Sequence, residues 1–251
     1  MTGFAVRNDE FESDSMTDAA DSEFKGMNVA VIGAADGVGP AVVDALRGAG
    51  ARLAVDSGSS HAPDAIIPLD HGPAAFIERC ETELGELDVL VISARPVANK
   101  PVLAVTAEEF REVVEHDLVQ AALCMMEAAR RMVKRRRGRI IVFASMSGKT
   151  GPHHNVGPFA AAKGGLLAFV RVMAAELAEH GITVNGIATA LFEPQVAAMS
   201  DDRRAALKRG IPVGRFGRSE EAAHAVLFLA SNKAGFVTGE CLNLSGGRFM
   251  D

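Results

Sequence analysis

The run Gly33-Ala34-Ala35-Asp36-Gly37-Val38-Gly39 joins an apolar stretch to an amphipathic one. Small side chains there let a backbone approach a pyrophosphate. A helix opening beyond Gly39 would add unpaired N–H groups and the positive end of a dipole. Asp56 ends the next apolar run, about twenty residues on, where a carboxylate accepts hydrogen bonds from an adenosine ribose. Asp36 adds negative charge on the same side, so a 2′-phosphate would be repelled and NAD(H) is favoured over NADP(H). Further along, Lys163 follows Phe159 by one helical turn, and His153 and His154 lie in the loop before them. Histidine titrates near neutrality and is a competent proton carrier.

These residues need rigid elements to hold them, and the chain alternates apolar runs with amphipathic ones, the pattern of a parallel sheet with helices on both faces. Strands are expected at Met27–Ala34, Arg52–Asp56, Ala65–Leu69, Asp88–Ala94, Arg139–Ala144, Ile182–Ala188 and Cys241–Leu244. Helices are expected at Val38–Ala49, closed by Gly50, and at Pro73–Leu84, Thr106–Arg136 and Pro158–Glu179, with another starting at Ser219. Thr106 and Glu109 have capping-box spacing. The sum is an α/β, doubly wound (Rossmann-type) sheet of about seven strands in a single domain, residues 26–251. Residues 1–25, rich in Asp, Glu, Ser and Thr, are expected to form a disordered acidic tail.

From Lys25 to Gly247 the chain resembles the short-chain dehydrogenase/reductase family. The Gly33–Gly39 spacing, Asp56, Asp70, Ser145, Lys163, Val184-Asn185 and the tail Gly214-Arg215 … Glu221 … Thr238-Gly239 … Gly246-Gly247 carry that resemblance. It implies that Ser145 polarises a substrate oxygen and that Lys163 holds the nicotinamide ribose. It also implies that Ala94 lies beside the cofactor. The family's proton carrier is a tyrosine, and this chain has none: Phe159 stands in its place. Asp117 occupies the position of the family's asparagine. Ile92-Ser93-Ala94-Arg95 replaces the usual Asn-Asn-Ala-Gly, Thr189-Ala190 replaces Pro-Gly, and Pro194 sits near an expected threonine. All these departures surround one site. The resemblance also places a substrate lid around residues 190–211, and it implies a homodimer or homotetramer built on the helices at 106–136 and 158–179.

Three readings follow. One is an NAD(H)-dependent oxidoreductase acting on a carbonyl or alcohol, with the proton carried by His153, His154, Asp117 or water. Another is a catalytically silent nucleotide-binding subunit, in a hetero-oligomer with an active relative. The last is a lyase, isomerase or cyclase that reuses the pocket. Composition narrows the partners to small molecules. A formal charge of -6 argues against nucleic acid, and no run of about 20 uninterrupted apolar residues points to a membrane. Three scattered cysteines fit neither a disulfide framework nor a metal site, so a cytoplasmic setting is expected. The basic stretch from Arg130 to Arg139 is expected to be a solvated helix end, where cations oppose the helix dipole.

Overall fold

A computed structural model describes residues 23–56, 63–93, 95, 99–150 and 153–250. In chain order the larger elements are β1 (Asn28–Ile32), α1 (Gly39–Gly48), β2 (Arg52–Val55), β3 (Ala65–Ile66), α2 (Gly72–Leu84) and β4 (Val89–Ile92). Then come α3 (Ala107–Val114), a π-helical segment (Glu115–Gln120), α4 (Ala121–Arg135), β5 (Gly138–Ser145), α5 (Met146–Lys149) and α6 (Gly157–Leu177). The chain closes with β6 (Ile182–Thr189), α7 (Glu193–Val196), α8 (Asp201–Lys208), α9 (Ser219–Ala230) and β7 (Cys241–Leu244).

The strands pair in parallel in the order β3-β2-β1-β4-β5-β6-β7. Alternation along each strand divides the core in two, as the period of a pleated strand requires. Ala30, Ile32, Leu90, Ile92, Ile140 and Val142 pack with Phe76, Met125, Met132 and Leu166 on one face. Val29, Val31, Val91, Ile141 and Phe143 pack with Val42, Leu46, Val226 and Leu229 on the other. The expected doubly wound sheet is therefore present. Its order reverses between β1 and β4, which opens a crevice at their carboxyl ends.

Element boundaries differ where local chemistry intervenes. β3 stops at Ile66 because Pro68 has no N–H to give a ladder, and Leu69–His71 becomes a 3-10 turn. The helix expected over Thr106–Arg136 is interrupted: Thr106 and Glu109 form the capping box, but the turns at Glu115–Gln120 widen to π geometry. Arg136 then closes α4 in a left-handed conformation, at φ 54°. At the amino end, residues 1–22 of the expected tail lie outside the described residues. Phe24, assigned from sequence to that tail, is buried against Val29 and Val31 in the second core cluster, and Glu23 accepts a hydrogen bond from the Asn232 N–H. The folded domain therefore starts earlier than residue 26.

The basic stretch is in part the solvated helix end expected, with Arg130, Lys134, Arg136 and Arg137 exposed, but several of its side chains also tie it to neighbouring elements. Arg131 reaches Glu81, Arg137 pairs with Asp88, and Arg135 donates to the Leu87 carbonyl. One segment, Gly157–His180, has the length and mean hydropathy (1.3) of a membrane span. Half of its most apolar stretch is buried, and its Leu166 and Val170 belong to the first core cluster. In this fold it is the central core helix.

Candidate active site

The crevice between β1 and β4 is where the sequence places the glycine run, and the backbone there is as compact as that run implies. Gly33 and Gly37 hold positive φ values of 76° and 57°, and Gly39 N donates to the Asp36 carbonyl at 2.8 Å. A Cβ on Gly39 would lie 2.1 Å from the Gly33 oxygen, so no other residue fits at that point. Val38 is buried as the N-cap of α1, and Pro40 fills the first turn, where a missing N–H costs nothing. Asp36 itself points outward and is exposed.

Asp56 lies one residue past the end of β2. Its two carboxylate oxygens accept from the Gly33 N–H at 2.9 Å and the Ala34 N–H at 3.2 Å. The carboxylate thus fixes the glycine turn, a role that its place in the sequence did not disclose. Asp70 lies on the 3-10 turn after β3, exposed, with His71 Nε2 at 3.7 Å. Its neighbour Leu69, not Asp70, lines the crevice. Ala94 lies outside the described residues.

Deeper in, α6 carries Lys163 into the molecule. The side chain is 3% exposed, with Nζ 3.0 Å from Asp117 Oδ1 and donating to the Phe143 carbonyl at 3.2 Å. Burial pushes its pKa below the usual lysine range, while the Asp117 carboxylate opposes that shift. The π segment sets Asp117 in this position, with its side chain only 13% exposed. The Phe159 ring centroid is 5.4 Å from Nζ, within cation–π range. Phe159 is itself buried, so an apolar ring borders the ammonium where an acid is expected from the resemblance.

A cavity of about 30 Å³ is lined by Gly33, Ser93, Arg95, His116, Asp117 and Lys163, among others. The Ser93 hydroxyl is buried there and has no protein partner among the described residues. Arg95 Nη1 lies 3.2 Å from His116 Nδ1, which also approaches Gln120 at 3.3 Å. Sequence reasoning singled out Arg95 as a departure but not His116 or Gln120. The one available signal was their spacing around Asp117.

Ser145 ends β5 and caps α5. Its Oγ accepts from the Ser147 N–H at 3.2 Å and lies 2.9 Å from Ser147 Oγ. No hydrogen bond joins Ser145 to Lys163 or Asp117 among the described residues. His153 and His154 are exposed. Slight burial, then Arg248 and His154, push the His153 pKa down, so this imidazole is neutral at pH 7 and better suited to accept a proton than to give one.

The segment expected as a lid forms α7 and α8. Arg204 pins it by donating to Glu193 Oε2 at 2.7 Å and to the Val196 carbonyl at 3.2 Å. Pro194 falls in the first turn of α7, and Ala190 lines a second cavity of about 250 Å³ with Phe192, Ile211, Val213 and Leu244. The Arg215–Glu221 pair forms its polar wall.

The residues present fit a dinucleotide. The glycine turn presents no side chain at Gly33, Gly37 and Gly39, Asp56 holds it from the end of β2, and the orphaned Ser93 hydroxyl and the third N–H of Lys163 remain for polar groups. Among the described residues no group of three or more His, Cys, Asp or Glu side chains could hold a metal ion.

Known proteins agree with this geometry. A family profile described as enoyl-(acyl carrier protein) reductase matches residues 33–248. The 3-oxoacyl-[acyl-carrier-protein] reductase FabG of Escherichia coli K12 is 34% identical over 242 residues, covering 90% of this chain and 99% of that protein. FabG of Aquifex aeolicus is 32% identical, covering 87% of this chain and 96% of that protein. A solved structure described as a dehalogenation enzyme superposes with a TM-score of 0.82 at 26% identity, over 90% of this chain and all of the other. These matches, over nearly the whole of the described fold, identify its lineage: the chain belongs to the short-chain dehydrogenase/reductase family.

Proposed function

We propose that the protein is a nicotinamide-dependent oxidoreductase acting on a carbonyl or alcohol, with NAD(H) preferred. One observation carries the reading: the glycine turn, held by Asp56, stands at the sheet's switch point above the buried Lys163. Given its relatives' substrates, a 3-oxoacyl thioester is the first compound to try. A bound nicotinamide would supply or take up the hydride at the substrate carbon. Asp56 would hold the adenosine ribose, and Lys163 would offer one N–H to the other ribose. The Ser145 hydroxyl, already oriented by Ser147, would polarise the substrate oxygen. Phe159 cannot carry the proton. His153 is the proposed acceptor in the oxidation direction, with water as the donor in reduction. Absence of a positioned acid lowers the rate by about 10²–10⁴-fold.

Calorimetric titration with NADH and NADPH, followed by turnover of a 3-oxoacyl thioester, tests this. NADH should bind more tightly than NADPH, with slow turnover. Failure of both nucleotides to bind refutes the reading, and binding without turnover on a broad carbonyl panel favours a silent subunit. A second, non-redox reading draws on the Phe159 ring and the likeness to a dehalogenation enzyme. It predicts activity that survives removal of nicotinamide. The exposed Phe110, Leu123 and Val172, on the helices expected to pair, support assembly into a homodimer or homotetramer.

A further inference from the structure

Lysine at a buried position is normally kept charged by an anion, and the choice of anion sets what else the ammonium can do. Here that anion is Asp117, at 3.0 Å. Two of the three ammonium hydrogens are used, by Asp117 and the Phe143 carbonyl, and the ring of Phe159 lies 5.4 Å from the nitrogen. We propose that Asp117 is a positioning residue that sets the charge of this site: its carboxylate cancels the Lys163 ammonium, so the pair presents a dipole rather than a cation to anything beside position 159. Phe159 and Asp117 then form one linked change. A phenol needs an unopposed ammonium to become acidic, and a paired ammonium favours a neutral, apolar neighbour.

Charged and titratable groups on the packed elements are few enough to follow. Glu115 and His116 flank Asp117 on the π segment and are exposed. Lys149 on α5 is tied to the Cys241 carbonyl and Asn243 Oδ1, both at 2.8 Å. Glu109 on α3 pairs with Lys100 at 2.6 Å. His153 and His154 precede α6, with Arg248 beside His153. Lys163, 5.4 Å from the ring centroid, and Asp117, 3.0 Å from its ammonium, are the charged pair that faces position 159.

The chain offers a clean test, since it has neither tyrosine nor tryptophan. In Phe159→Tyr the new phenol is the sole one, and its ionisation can be followed by near-ultraviolet absorbance without cofactor or substrate. The phenol of this variant should titrate at about 10 or above, the ordinary value. Adding Asp117→Asn should lower it by at least about one unit, because the ammonium is then unopposed. Adding Lys163→Gln instead should raise it by a similar amount. A phenol that already titrates well below 10 in the single variant overturns the proposal, as does a value that moves in neither double variant. Should the Asn-bearing protein fail to fold, the single variant and the Gln-bearing one still decide it. The proposal concerns the site of the oxidoreductase reading. Its test involves no nucleotide or turnover, so either idea can fail while the other stands.

Discussion

Replacing Asp56 tests whether the glycine turn is held from β2. Its carboxylate accepts from two N–H groups in buried backbone, those of Gly33 and Ala34. Asp56→Ala leaves both donors without that partner, and a buried unsatisfied donor costs about 1–3 kcal/mol. The pair together therefore costs about 4 kcal/mol, which for a domain of this size lowers Tm by about 8–16 °C. Asp56→Asn keeps one acceptor oxygen and turns an amide N–H toward the other donor, so about half the loss is expected. Thermal melting followed by circular dichroism gives the stability, and hydrogen exchange at Gly33 and Ala34 reports the turn itself. Both amides should exchange faster in either variant, and NADH affinity should fall with them. An Asp56→Ala protein that melts within about 2 °C of the wild type, with unchanged exchange at these amides, would refute the assignment.

Other outcomes are as definite. Gly148→Ala should cost about 2 kcal/mol and lower Tm by about 4–8 °C, because its Cβ would meet Gly164 N and the Lys163 carbonyl carbon at 2.6 Å; thermal melting reads this. Hydrogen bonds from Arg215 and from the Arg218 N–H hold the Glu221 carboxyl at about 2, down from 4.5. A lowered folded-state pKa gives stability that is complete above the unfolded value and fades as pH falls from about 4.5 to about 2. For this partly exposed pair the loss is about 1 kcal/mol, and urea melts of Glu221→Gln should lack that slope. Burial pushes the Cys80 and Cys124 thiols up to about 12. Neither should be alkylated at pH 8 until the protein unfolds, as peptide mass mapping would show.

Local pattern was enough to read the sheet, its strand sequence and the glycine turn, because strand and helix periods are written within a few neighbouring residues. Lys163 drew notice through its place one turn after Phe159 and through the family resemblance, and its burial beside the crevice follows from the core helix that carries it. What stayed hidden depends on distant partners. Asp56 bonds Gly33 across β1 and β2, and Asp117 meets Lys163 only after the π segment turns it inward. Helical periodicity over Thr106–Arg136 looked unbroken because an extra residue leaves the apolar spacing nearly intact. The tethers of the arginines at the end of α4 were hidden since their acceptors, Glu81, Asp88 and the Leu87 carbonyl, lie far back in the chain.

The wide turn at Glu115–Gln120 has a bearing on how such a site could change over time. A π turn is a helix carrying one surplus residue, and each α-helical residue advances by about 100°. Deleting a single exposed residue there, such as Val119, would let the helix close to regular spacing and move Asp117 relative to α4 by a fraction of that angle. A relative shorter by one residue in this stretch would keep every side chain of the site and still change how the carboxylate meets its lysine. The placement of this counter-ion thus depends on the length of the turn as well as on the residue it carries.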